Sequence, residues 1–242
     1  GLLHDVSHTA FSHVIDWVVG YGGREEFQDN KHTEYLKSSE IGQILCRHGL
    51  NLERISNSNN FGLLEREIPT LCADRVDYAL REFSIQKARQ LFSNLKTVNG
   101  YIVFQDQESA SVFARLFLSK QMNHWGEIEA MARFYYFAEI LREAIDLKIL
   151  EFEDFWSDDD AVIRKIEKSG RFELKLNALK HKTLRIKKLS GLIVRKKFRY
   201  VDPFFIEGDS IAKLSSYDPD FKLELNRASR QNQIGVHIPI IY

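Results

Sequence analysis

The stretch GLLHDVSHTAFSHVID at 1–16 sets His4, Asp5, His8, His13 and Asp16 in an otherwise apolar run. Burying that many polar groups is costly unless each finds a partner. The adjacent His4–Asp5 pair offers one imidazole nitrogen and one carboxylate oxygen to the same cation. Imidazole suits transition metals, and a carboxylate adds charge. A mixed N/O site of this kind lowers the pKa of a bound water toward neutrality. Residues three and four apart share a helix face, so Asp5, His8 and Asp16 are expected on one side, with His4 and His8 one turn apart. A further ligand has to come from elsewhere in the chain. LCADRVDYALREF at 71–83 supplies the best candidate, Asp74, an acid among Leu71, Cys72, Ala73 and Val76 with Arg75 and Arg81 beside it. The HDVSH spacing also resembles a gapped zinc-protease motif, but that motif needs a Glu directly after the first His, where Asp5 stands here.

The elements that must position these residues are mostly helical. Leu3, Val6, Ala10, Phe11, Val14, Ile15 and Val18 recur at helical spacing over 2–19, and Gly20, Gly22 and Gly23 stop the run. Further helices are expected at 32–47, 64–83, 107–122 and 126–149, with Pro69 bending the third or marking its true start. Asn99-Gly100 between two short β-like runs signals a hairpin. Ser157 followed by Asp158, Asp159 and Asp160 signals a helix N-terminus, with acids at the positive end of the dipole. From residue 180 the chain turns basic and strand-like, in LIVRKKFRYVDPFF and QIGVHIPIIY. The expected architecture is mainly α: a helical domain over 1–156, then a smaller α+β part over 157–242.

Bulk composition narrows the function classes. The 242 residues are 44% hydrophobic and 28% charged, as in an ordinary globular protein. Lys+Arg and Asp+Glu balance at 34 each, so net charge argues for neither nucleic acid nor membrane as a partner. Cys46 and Cys72, the only cysteines, form no CxxC pattern and suggest neither a disulfide framework nor a cysteine zinc site. A reduced, cytoplasmic setting is expected, and no apolar run approaches the roughly 20 residues that span a bilayer.

GLLHDVSHTAFSH resembles the HD-domain metal-dependent phosphohydrolases, and closely the branch that contains the deoxynucleoside triphosphate triphosphohydrolases. That branch follows the HD pair with a His and then FSH, matched by His8 and by Phe11-Ser12-His13. Its distal aspartate lies in a D-(K/R)-x-D-Y context, matched by DRVDY at 74–78. The resemblance covers roughly 1–156 and implies a helical bundle around one metal site. Carried over, it implies that His4, Asp5 and Asp74 hold a divalent ion (Mn, Fe, Zn, Ni or Mg). His8 and His13 would face substrate phosphates, and Arg75 would contact a phosphate. His32 would be the general acid, oriented by Asp16, whose carboxylate would raise the imidazole pKa. Tyr78 and Glu82 would lie near the sugar. The family's first ligand is a His upstream of the HD pair, and nothing precedes Gly1, so the chain reads as N-terminally truncated and short of one ligand. The branch also has a Tyr a few residues after the His matching His124, and NHWGEIEAM has none in register.

A metal-dependent phosphohydrolase acting on a nucleotide, a deoxynucleoside triphosphate among them, is therefore the leading expectation. The alternative is a catalytically inactive HD module that binds nucleotides or nucleic acid. The acid-free run of Lys180, Lys182, Arg185, Lys187, Lys188, Arg195, Lys196, Lys197 and Arg199 is either an anion-binding surface or a solvated strand face. Partners admitted on these grounds are a nucleotide substrate, a second copy of the chain and, through the basic run, nucleic acid; a membrane is not among them.

Overall fold

A computed structural model describes residues 1–180 and 189–239. Among them the chain is mainly α, with a small α+β part. In chain order the helices are α1 (Val14–Val18), α2 (Phe27–Ser38), α3 (Glu40–Arg47), α4 (Leu52–Ser56), α5 (Ala73–Glu82), α6 (Ile85–Ser93), α7 (Gln107–Lys120), α8 (Ile128–Asp146), α9 (Asp159–Lys168), α10 (Glu173–Lys180), α11 (Leu214–Tyr217) and α12 (Pro219–Ile234). The strands are β1 (Leu95–Val98), β2 (Tyr101–Phe104), β3 (Leu189–Val194), β4 (Phe204–Glu207), β5 (Ser210–Lys213) and β6 (Val236–Pro239). They fall into two compact units, each assembled from separate stretches of chain. No helix among the described residues is long and apolar enough to cross a membrane.

The first unit comprises Gly1, Leu50–Trp125 and Phe198–Gln231. Its sheet runs β1-β2-β4-β5, with β2 and β4 parallel and Val103 in register with Phe204. The expected hairpin is present: Asn99 and Gly100 both take positive φ, 49° and 76°, as a two-residue turn between twisted strands requires. Phe104, Phe113, Phe117, Phe205 and Phe221 are fully buried and form the core with Leu71, Val76 and Ala79. The helix expected over 64–83 begins only at Ala73. Cys72 is extended, and the N–H groups of Ala73 and Asp74 bond back to the carbonyls of Leu63 and Leu64. Asp74 thus sits in the first turn of α5, where the helix dipole favours a carboxylate.

The second unit comprises Leu2–Gly49, Gly126–Lys197 and Asn232–Tyr242. Met131, Ala132, Ala138, Leu141 and Ala144 of α8 bury against Val14, Ile15 and Val18 of α1. The helix expected at 32–47 is two, α2 and α3, because Ser39 is extended and the chain turns there. Gly42 then lies against the Leu36 carbonyl with no room for a Cβ. Asp158 caps α9 as its position signals, its Oδ1 accepting from Ala161 N–H at 2.7 Å. The antiparallel β3–β6 pair completes this unit.

Of the basic run, Lys182, Arg185, Lys187 and Lys188 lie outside the described residues. Three of the others have partners within the second unit. Lys180 pairs with Glu167, Arg195 donates to the Gln233 carbonyl, and Lys196 lies over the Phe134 ring near Glu25.

Candidate metal centre

Residues 2–13, expected to begin one long helix, form consecutive tight turns instead, and the helix is confined to α1. Phe11 and Ser12 take φ of 60° and 46°, a left-handed pair that no right-handed helix accommodates. The freed N–H groups are satisfied from far along the chain: Ala10 donates to the Phe155 carbonyl and Phe11 to Asp159 Oδ1, both at 2.7 Å. The helical-face pattern of Asp5, His8 and Asp16 therefore does not apply, and the turns gather the polar side chains in another way.

Asp5 sits between two histidines. Its Oδ2 lies 3.1 Å from His4 Nε2 and its Oδ1 3.4 Å from His8 Nε2. His8 and His13 meet edge to face at 5.5 Å, and His13 Nδ1 lies 3.4 Å from Gln28 Nε2. Asp16, fully buried, does not orient His32 through the expected bond. Its Oδ1 accepts from the N–H groups of Glu26 and Phe27, both at 2.9 Å, and so ties down the start of α2. His32, one turn further along α2, has Ser7 Oγ at 2.8 Å from its Nδ1. Burial pushes the Asp16 carboxyl above its ordinary range and the His32 imidazole below its own. Asp29 and Asp5 oppose the fall at His32, while His4 and His8 add to it. The expectation of an Asp16-raised imidazole is thus reversed by desolvation.

On α5, Arg75 is buried and its terminal nitrogens are occupied. Nη1 donates to the Thr70 carbonyl and to Cys72 Sγ, both at 3.0 Å, and Nη2 pairs with Glu65 at 3.3 Å. This clamps the loop before α5 to its first turn, and burying an arginine with such partners favours structure over an open phosphate contact. Tyr78 packs against Phe117 and Trp125, and burial pushes its phenol up to about 12 with the Arg199 guanidinium beside it. Glu82 Oε2 lies 3.4 Å from Lys120 Nζ and 3.7 Å from His124 Nε2.

In the second unit His4 Nε2 and Asp5 Oδ2, 3.1 Å apart, can offer two ligand atoms to one cation; Asp74 belongs to the first unit, in the first turn of α5. Donors held at about 2.1 Å on one ion stand roughly 3–4 Å apart, so the His4–Asp5 separation fits one edge of such a site. An imidazole nitrogen with a carboxylate oxygen suits Zn, Fe, Ni or Mn, borderline to hard divalent ions. Sequence reading did not single out Ser7 or Gln28. The one available signal was small polar side chains inside an apolar, periodic run.

No protein-family model matches the chain. It is 29% identical to the uncharacterized protein YdhJ of Bacillus subtilis over 252 residues, covering all of this chain and 77% of that one. It is 28% identical over 172 residues to cns2 of Cordyceps militaris, named a metal-dependent phosphohydrolase, over 66% of this chain and 50% of that protein.

Proposed function

We propose that the chain is a metal-dependent phosphohydrolase of the HD type that acts on a nucleotide, a deoxynucleoside triphosphate being the substrate to test first. The observation that carries this is the His4–Asp5 donor pair, 3.1 Å apart in a turn-rich segment beside His8, with Asp74 of α5 proposed as the third ligand. The name of cns2 supports the same class. A divalent ion held by these donors supplies Lewis acidity toward a phosphoryl oxygen and lowers the pKa of a bound water.

The chain's own residues do the rest. His8 and His13 offset charge on the phosphate oxygens. His32 is the group that exchanges a proton with the reacting oxygens; burial keeps it neutral at rest. Asp16 acts as a positioning residue, holding the N-terminus of α2 and with it the helix that carries His32. Tyr78, its phenol protonated at any physiological pH, donates to a sugar hydroxyl, and Glu82, one turn further on α5, accepts from one. Arg75 fixes the loop before α5 and leaves the phosphates to the histidines.

The test is metal analysis of the purified chain and of Asp74→Ala, followed by a screen of nucleoside mono-, di- and triphosphates with added Mn²⁺. Product analysis tells phosphate from triphosphate release. Metal retained by the wild type and lost from the variant, with turnover of one nucleotide, is the expected result. Nucleotide binding with no turnover would return the inactive-module alternative, and absence of both metal and turnover would end the proposal.

A further inference from the structure

Ser7 is 2% exposed and lies within hydrogen-bonding range of two groups of α2. Its Oγ is 2.8 Å from His32 Nδ1 and 3.5 Å from the Gln28 main-chain oxygen. A hydroxyl has one proton to give, and a carbonyl oxygen can only accept. With the Ser7 proton directed to the Gln28 carbonyl, the bond to His32 is made with a proton from Nδ1. We infer that Ser7 is a positioning residue that fixes His32 as the Nδ1–H tautomer and so leaves Nε2 as the nitrogen where a proton comes and goes.

The arrangement has the logic of a catalytic triad's third member with a neutral group in place of a carboxylate: the orienting partner holds one ring nitrogen and settles the chemistry of the other. A carboxylate in that place would raise the imidazole pKa; a hydroxyl orients the ring without adding charge. That agrees with a half-buried His32 whose pKa lies below the ordinary value. It also accounts for Asp16 being turned away to the backbone of Glu26 and Phe27. A buried serine has no packing advantage over alanine, so its hydrogen bonds are its reason to be there.

The inference rests on the proton-exchanging role proposed for His32, but its test does not need turnover. Long-range ¹H–¹⁵N spectra of the metal-free 242-residue chain, labelled at histidine and recorded at about pH 8, above the ordinary imidazole pKa, report the tautomer of each neutral ring. The signal lost in His32→Gln assigns His32. The expected result is an Nδ1–H tautomer in the wild type and a mixed or Nε2–H state in Ser7→Ala. With dGTP and Mn²⁺, Ser7→Ala is expected to lose about tenfold in kcat with KM unchanged. An Nε2–H tautomer in the wild type, which needs no variant to fold, would overturn the inference. So would an Nδ1–H signal that survives Ser7→Ala. If dGTP is not turned over at all, the phosphohydrolase reading is what fails, and the spectra still decide the role of Ser7.

Discussion

Asp16 accepts hydrogen bonds from Glu26 and Phe27 N–H at the start of α2, and Asp218 accepts one from Phe221 N–H in the first turn of α12. The local task is the same, yet the two carboxyls move in opposite directions. Asp218 is gripped through both oxygens by the Arg115 guanidinium, at 2.7 and 3.1 Å, and receives the Ser111 hydroxyl as well. Its pKa falls to about 2, chiefly through the bond to Arg115. Asp16 has burial in place of a cation. Its Oδ2 has no hydrogen-bond partner among the described residues, the charges acting on it are those of Glu25 and Asp29, and its pKa rises. A carboxylate that serves only the scaffold is wired on every lone pair. Asp16, at the start of the helix that carries His32, is left partly unsatisfied, the kind of local rule-breaking that proteins tolerate where chemistry is done.

The contrast predicts a division between variants that remove chemistry and variants that remove stability. The largest effect is expected from Asp74→Ala, which deletes one of the three proposed donors. Affinity for Mn²⁺ should fall by at least about 100-fold in equilibrium dialysis while the far-UV spectrum stays the same. Undiminished Mn²⁺ binding would show that these donors do not form a site. Next comes Asp218→Ala, which strands Arg115 and uncaps α12. Urea unfolding should show a loss of about 2 kcal/mol, with metal binding per folded molecule unchanged.

Third is the pH dependence of the same residue. The folded pKa of about 2 lies below the model-compound value of 3.8, so Asp218 contributes stability above pH 3.8 that is lost as pH falls toward 2. Asp218→Asn should lack that acid limb in a pH series of melting temperatures. The smallest effect, at most about 1 kcal/mol, is expected from Asp16→Asn, which keeps the Oδ1 acceptor. Here the sign is opposite. The folded pKa lies above 3.8, so the wild type binds more protons folded than unfolded and loses stability as pH rises through that window. Asp16→Asn should be the more stable protein at pH 7 and the less advantaged one at pH 4. Equal pH slopes for the two proteins would remove the contrast with Asp218.

Local signals in the sequence were read correctly where local physics decides the outcome. Asn99-Gly100 makes its hairpin, Asp158 caps α9, and the apolar periodicity of 107–122 and 126–149 becomes α7 and α8. Asp74 stands out in the sequence as an acid in an apolar context, but its place in the first turn of α5 was not foreseen, since the helix was expected to begin at 64. The expectation failed where distant partners decide. Nothing near Ala10 and Phe11 says that their N–H groups will bond to Phe155 and Asp159, and without those acceptors the helix over 2–19 is the better solution. The segment before α5 is held out of the helix by bonds to Leu63 and Leu64. The helix α12 buries only Phe221 and Ala228, too sparse a stripe to stand out among its polar residues. The Ser7–His32 contact joins residues 25 apart and needed the turns at 2–13 to be known first.

The parallel pairing of β2 with β4 has a consequence for how the protein comes into being. Val103 meets Phe204, so the sheet that backs α7 cannot close until the ribosome has delivered the residues around 204, about 100 positions after β2. Closing so long a loop costs roughly 2 kcal/mol more in chain entropy than closing one a tenth as long. Until then β2 keeps an open edge, with Tyr101 and Val103 able to pair with another nascent strand. A polypeptide stopped shortly before residue 204 would thus carry His4, Asp5 and Asp74 but an unfinished sheet in the unit that bears α5. Such a chain is a natural client for a chaperone, and its slow step on refolding should be this long-range pairing.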